Sequence, residues 1–279
     1  MFKKNWKICT VALALALGFA GAAVAAELVI DGSTTVLPFA QIAAERFMAA
    51  HPEVKISISG GGSGNGIKAL IDKTTHIANS SREIKKSEIE QAEAGGVKPY
   101  ETAVAIDCIV PIVHPTNPVQ NLTFEQLKKI YSGAVTNWKD VGGPDASIAV
   151  VGRDSSSGTY GTWQEMVVEK GDGEQKTRVT PRAQVAASSG AMLSTVAGNP
   201  LAIGYDGMGY VDNTVKAVSV EGIGASVATA VDNSYPLSRY LYMYTNGAPA
   251  EDAKAFIDYV LSPDGQKIVS DTGFVAIKR

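Results

Sequence analysis

The run ETAVAIDCIVPIVHP, Glu101 to Pro115, carries the decision about the fold. It is apolar and long, and it is interrupted by Asp107 and Pro111. Proline has no amide to give to a strand ladder, so an interruption of this kind marks a strand passing from one domain to another. Roughly 250 residues beyond the leader described below are enough for one large or two medium domains with sizeable cores.

Outward from that run, short β-branched stretches alternate with amphipathic helical ones, the pattern of an α/β protein. On the N-terminal side, ELVID reads as a strand and Pro38 to Ala50 as a helix with Phe39, Ile42, Ala43 and Phe47 on one face, stopped by His51 and Pro52. VKISIS alternates as a second strand, and Ile67 to Ile71 opens a second helix. On the C-terminal side, LTFEQLKKIYSG predicts a helix, SIAVVGR a strand, Thr159 to Lys170 a helix and Ala191 to Ala197 a shorter one. LAIGYDGMGYV is a glycine-punctuated strand region, YPLSRYLYMYT a return strand, and EDAKAFIDYVLS and PDGQKIVS are two closing helices. There is no fixed-period repeat and no low-complexity linker.

The N-terminus has the form of a secretory leader. Lys3, Lys4 and Lys7 precede the apolar run ICTVALALALGFAGAAVAA, which ends in small residues, so residues 1–26 read as a cleaved signal peptide. Cys9 lies inside that run without a lipoprotein context, and Cys108 alone remains afterwards, which excludes an internal disulfide and a cysteine-based metal cluster. The whole chain has 25 basic and 28 acidic residues. Without the three leader lysines it is about six negative, a balance that argues against nucleic acid or an anionic membrane as partner. A small anion stays possible where local donors do the binding.

Such donors recur. Four times, hydroxyls and glycines stand just before a helical stretch: DGSTT before VLPFAQIA, SGGGSGN before GIKALI, RDSSSGT before YGTWQEM, and ASSG before AMLSTVA. The first amides of a helix have no intrahelical partner and carry the positive end of its dipole, so converging helix starts form an anion site. Singly, each junction is more often an ordinary cap or turn. Four together, with Arg153 beside one and Ser80, Ser81 and Arg82 closing THIANSSR, shift the balance, because the guanidinium fork matches oxyanion geometry.

Rival motifs fail on inspection. GGGSGNGIK lacks the Lys-Ser/Thr pair of a phosphate-binding P-loop, and GGSGN misses the last glycine of a nucleophile elbow. His51, His76 and His114 are isolated from one another, so no metal site and no nucleophile with its base emerges. The reading is of a binder with no catalytic residue, no metal and no cofactor.

Six stretches carry a family resemblance: DGSTTVLPF, ISGGGSGNGI, ANSSREIK, NLTFEQLKKIYSGAVTNWKDVGG, RDSSSGTYGTW and NPLAIGYDGMGYV. In this order the chain resembles the phosphate-binding proteins of bacterial ABC phosphate importers, which are periplasmic binding proteins. The resemblance implies an α/β fold of two type II-like lobes, each a central sheet flanked by helices, with the ligand cleft between them. Residues 27–108 and 236–279 would form lobe 1 and residues 109–235 lobe 2, with a second crossing near Tyr235 to Arg239. It implies inorganic phosphate and a membrane-embedded ABC permease as partners, a periplasmic location and a monomer. Carried over by motif, the ligand contacts would be Ser33, Thr34 and Thr35, then Ser63, Ser81 and Arg82, then Arg153, Ser157, Gly158 and Thr159. Ser80, Ser189 and Gly190 come second.

One departure matters for selectivity. Better-known members place an aspartate where Ser81 stands here, and that carboxylate accepts the proton of hydrogen phosphate while repelling sulfate. A serine oxygen, a backbone carbonyl or Asp154 would have to take that role in this chain. The alternatives are a binding protein for sulfate, molybdate or another tetrahedral oxyanion, a secreted phosphate-ester hydrolase, and a secreted protein that keeps the fold for adhesion or signalling.

Overall fold

A computed structural model describes residues 27–277, so the expected signal peptide lies outside the described residues. The chain begins β1 (Glu27–Gly32), α1 (Leu37–Ala50), β2 (Lys55–Ile58), α2 (Ser63–Ile71), β3 (Ile77–Ser80) and α3 (Lys86–Ala94). β1 is parallel to both β2 and β3, as the intervening helices require. α1 buries Phe39, Ala40, Ala43, Ala44 and Phe47 and ends at His51, just before Pro52.

β4 (Pro99–Val113) follows as one continuous 15-residue strand. The second half of the chain adds β5 (Asn121–Leu122), α4 (Phe124–Ser132), β6 (Ala149–Arg153), α5 (Gly158–Trp163), β7 (Gln184–Ala186), α6 (Ser189–Ala197) and β8 (Ala202–Gly207). Then come β9 (Lys216–Ala217), β10 (Ser219–Val220), α7 (Val227–Val231), β11 (Ser238–Asn246), α8 (Glu251–Leu261) and α9 (Pro263–Asp271). The long helix expected from Thr159 is shorter: α5 passes into a wide turn, Gln164–Val168, closed by the Glu169 amide on the Gln164 carbonyl at 2.8 Å. α3, α7 and the two-residue strands have too weak a period to be read from sequence.

β4 organises the whole molecule. Its first part pairs antiparallel with β11, from Asn246↔Pro99 to Ser238↔Cys108, and its last part pairs with β8 and β9 from Ile109 to Val113. The ladder therefore runs β2-β1-β3-β11-β4-β8-β6-β7. The change of partner falls between Cys108 and Ile109. Asp107 and Pro111 do not break the strand, and the reasons are local. Asp107 faces Arg239 across the ladder, and Pro111 gives its carbonyl to the Val218 amide at 2.9 Å.

Buried side chains gather accordingly. One cluster takes residues from Leu28 to Ala105 and from Leu241 to Phe274, and another takes Cys108 to Leu237 with Val275. A smaller third cluster, including Leu70, Ala92 and Tyr244, covers the other face of the first lobe's sheet. Among the described residues no helix is long and apolar enough to cross a membrane.

Candidate functional site

The four hydroxyl-rich junctions come together where the two lobes meet. Ser33, Thr34 and Thr35 lie between β1 and α1, and all three are buried. Ser63 begins α2 and Ser81 follows β3; their hydroxyls lie 3.3 Å apart, and the Ser81 amide donates to Ser63 Oγ at 3.0 Å. From the second lobe come Arg153 at the end of β6, Ser157 to Thr159 at the start of α5, and Ser189 at the start of α6. Each set lies at the C-terminal end of a parallel strand, where α/β sheets present their binding loops.

The two sets touch. The Thr35 and Thr159 hydroxyls share a hydrogen bond at 3.0 Å, and those of Thr34 and Ser189 approach to 3.4 Å. Arg153 ties them together: Nη2 donates to Thr34 Oγ1 at 3.1 Å, Nη1 to Ser189 Oγ at 3.2 Å, and Nε to the Ala186 carbonyl at 3.0 Å. Arg153 is buried, with 3 % of the residue exposed. Its three directions of donation are thus aimed by backbone and hydroxyl oxygens, and its charge stays in a desolvated site.

Close approach of backbone makes this packing possible. A Cβ on Gly158 would sit 2.3 Å from Ser63 Oγ and 2.6 Å from Ser81 Oγ. Gly62, before α2, has φ of +99°, and a Cβ there would lie 2.5 Å from Ser156 Oγ. These two glycines let the loops of opposite lobes meet.

The capping alternative holds at part of the site. Ser188 caps α6 by accepting from the Ala191 amide at 3.1 Å, and Ser157 caps α5 by accepting from Tyr160 at 3.2 Å. Neither α1 nor α2 has a side-chain cap. Ser33 Oγ accepts from the Thr35 amide at 3.1 Å, which shapes the first loop.

Two sequence candidates are engaged elsewhere and a third, Gly190, faces solvent. Arg82 places its fork on Glu88, with Nη1–Oε2 at 2.8 Å and Nη2–Oε1 at 2.7 Å, and donates to the Glu83 carbonyl. Burial alone would raise the Glu88 pKa, yet the bonds from Arg82 and the Lys85 amide hold it below the usual carboxylate range. Ser80 donates to the Arg82 carbonyl at 2.7 Å and so closes the turn. Gly190 is exposed. Asp154, weighed as a proton acceptor, takes the Ser156 amide on Oδ1 at 2.9 Å and the Ser156 hydroxyl on the same oxygen.

Three charged residues beside the site were not among the candidates. Arg239 on β11 donates from Nη2 to Thr159 Oγ1 at 3.0 Å and from Nη1 to the Ser81 carbonyl at 2.8 Å. The same guanidinium forms a buried pair with Asp107, whose Oδ2 takes Nε at 3.0 Å and Nη2 at 2.8 Å. Burial pushes the Asp107 carboxyl up, and the Arg239 charge opposes it. Asp206 on β8 has no exposed surface, and its Oδ1 accepts from the Gly207 amide at 2.9 Å. Burial raises its pKa to about 6, opposed first by Arg153 and then by Ser189. The signal for all three was a lone charge inside an otherwise apolar strand.

A desolvated guanidinium, a ring of hydroxyls and two uncapped helix starts can hold a small oxyanion by donation alone. Known proteins carry the same arrangement of chain. A profile described as the PBP superfamily domain matches residues 18–264. The phosphate-binding protein PstS of Borreliella burgdorferi is 35 % identical over 255 residues, covering 89 % of each chain. That of Bacillus subtilis is 32 % identical over 90 % of this chain and 81 % of its own. A phosphate-bound structure of a putative phosphate ABC transporter substrate-binding protein from Clostridium perfringens superposes with a TM-score of 0.83 at 38 % identity, covering 91 % of this chain and all of that one. This chain belongs to the PBP superfamily and, within it, to the family of the PstS phosphate-binding proteins.

Proposed function

We propose that this protein captures inorganic phosphate outside the cytoplasmic membrane, in the periplasm, and hands it to a membrane-embedded ABC permease. The observation that carries the reading is the reach of Arg153, from the second lobe, to Thr34 in the first at 3.1 Å inside a shell of buried hydroxyls. A hydrated dianion entering this site loses water, and Ser33, Thr34, Thr35, Ser63, Ser81, Ser157, Thr159 and the Gly158 backbone would return donors to it. Arg153 would supply the ion pair, with Ser189 beside it. Arg82, spent on Glu88, would support the turn bearing Ser81, and Arg239 would take the place of the second guanidinium.

Because the donors are divided between lobes, phosphate binds the closed form better than the open one, and closure follows from that difference. The permease then reads the closed surface. The chain acts as a binder: His76 Nδ1 takes the Val29 amide and His114 Nδ1 bonds with Thr116, so neither histidine is aligned as a base for the ring hydroxyls.

Calorimetric titration of the mature protein tests the proposal. Phosphate should bind, and Arg153→Ala should weaken it by about a hundredfold or more, since hydrogen bonds to a charged group contribute roughly 1.5–3 kcal/mol each. Equal phosphate binding by both proteins, or none by either, rejects it.

A further inference from the structure

The middle serine of RDSSSGT has a task apart from the ring of hydroxyls. Ser155 is exposed and Ser157 caps α5, while Ser156 stands against the glycine loop of the other lobe. Its carbonyl accepts from the Gly64 amide at 2.8 Å. Gly64 is the second residue of α2, and the amides of a first turn have no partner within their own helix. α2 has no side-chain cap. A carbonyl of the second lobe therefore caps a helix of the first, across the cleft.

The turn that bears this carbonyl is fixed from within its own lobe. Asp154 Oδ1 accepts from the Ser156 amide at 2.9 Å and from the Ser156 hydroxyl, and the Ser157 amide donates to the Asp154 carbonyl at 3.1 Å. The Ser156 hydroxyl also lies 3.3 Å from the Gly61 carbonyl. Every polar atom of Ser156 is thus spent on Asp154, Gly61 or Gly64, and none is left to donate to an anion. Opposite it, the Gly62 amide is tied to the Gly32 carbonyl at 2.7 Å, which holds the glycine loop to the first lobe. A Cβ on Gly62 would stand 2.5 Å from Ser156 Oγ, and one on Gly64 would stand 3.3 Å from its carbonyl oxygen. These glycines make room for the other lobe's turn.

Resting on the reading of the site as a phosphate site whose lobes close on the ion, we infer that Ser156 is a positioning residue for release. Its turn clasps the start of α2 once the lobes meet, and the clasp sets how long the ion is held. Phosphate enters while the lobes are apart, before the clasp exists. Loss of the clasp therefore speeds departure and leaves arrival unchanged. It acts alike on every ion around which the site closes.

Exchange between free and bound phosphate, read by phosphorus NMR, gives the release rate, and calorimetry gives Kd; the two together give the association rate. Ser156→Leu forces bulk against Gly62 and should speed release by about tenfold, and Ser156→Ala, which adds no bulk, by about threefold, as for one hydrogen bond lost or loosened. Association should stay within about twofold of the wild type in both. The ratio of phosphate to arsenate affinity should not move, since the clasp meets neither ion. At saturating phosphate, amide hydrogen exchange at Gly64 should be faster in Ser156→Leu than in the wild type. Unchanged release in Ser156→Leu, slower association in its place, or equal protection of the Gly64 amide overturns the inference. If Ser156→Leu loses the circular dichroism of the wild type, the release rate of Ser156→Ala decides alone, and an unchanged rate overturns the inference. In each of these cases phosphate still binds the wild type, and the phosphate reading stands. Failure of the wild type to bind phosphate at all removes both.

Discussion

Gly158 and Asp206 show what single residues do at this site. The absence of a side chain at Gly158 lets α5 approach Ser63 and Ser81, and a methyl group would land 2.3 Å from one hydroxyl oxygen and 2.6 Å from the other. Because those atoms belong to the opposite lobe, Gly158→Ala should oppose closure more than folding. Calorimetry should show phosphate affinity down by about tenfold or more, with little change in the melting temperature of the ligand-free protein. Asp206 has the opposite signature. Its folded pKa, about 6 against an ordinary 3.8, means that the folded state holds the proton more tightly than the unfolded one. Stability is therefore lost as pH rises from about 4 to about 6, and the loss persists above that. Asp206→Asn removes the charge, so thermal melts without ligand should show a gain on the order of 2–3 kcal/mol at pH 7.5 that disappears below about pH 4. A destabilised Asp206→Asn at pH 7.5 would contradict this account of its burial.

At the scale of elements, β4 and β11 form the joint between the lobes. They face each other through Arg239 and Asp107, a pair with side-chain exposures of 6 % and 0 %. The pair does more than neutralise a strand. Arg239 also bonds to the Ser81 carbonyl in one lobe and the Thr159 hydroxyl in the other, so one side chain connects the joint to both faces of the site. Removing one partner strands a buried charge. Arg239→Met should cost about 3–5 kcal/mol in urea unfolding at neutral pH. The cost should shrink as pH falls, because the unpaired Asp107, already pushed up by burial, then takes up a proton. A loss independent of pH would assign the effect to packing instead.

At the scale of the molecule, two apolar cores are joined by few strands, and polar contacts rather than a core hold the faces together. Such an arrangement opens and closes at low cost, and a ligand that bridges the faces shifts the balance. Phosphate at a thousandfold excess over Kd should stabilise the wild type by about 4 kcal/mol, close to 10 °C in Tm for a chain of this size. Small-angle scattering should record a smaller radius of gyration on phosphate addition. At the same phosphate concentration Arg153→Ala should keep no more than about 1.5 kcal/mol of that stabilisation, and its scattering change should need about a hundredfold more phosphate.

Much of this architecture was legible from local signals. The alternation of strands and helices, the long apolar run from Glu101 to Pro115 with its interruptions at Asp107 and Pro111, and the hydroxyl-glycine junctions depend on neighbours a few residues apart, which is the range over which periodicity and capping act. The loops and Arg153 beside one of them announce themselves by composition, whereas Thr34 and Ser63 were named through the family resemblance. Arg82 was equally visible, yet its charge is spent on Glu88, six residues away in sequence, as only the turn and α3 together decide. Arg239, Asp107 and Asp206 stand in strands whose composition says only that a charge is out of place. What each charge meets depends on the register of strands 101 or 132 residues apart, as in Asp107 with Met208 and Arg239. Sequence alone therefore determined the elements and the class of ligand they suit, and the tertiary structure decided which buried charges are paired and which oxygen is left to be satisfied.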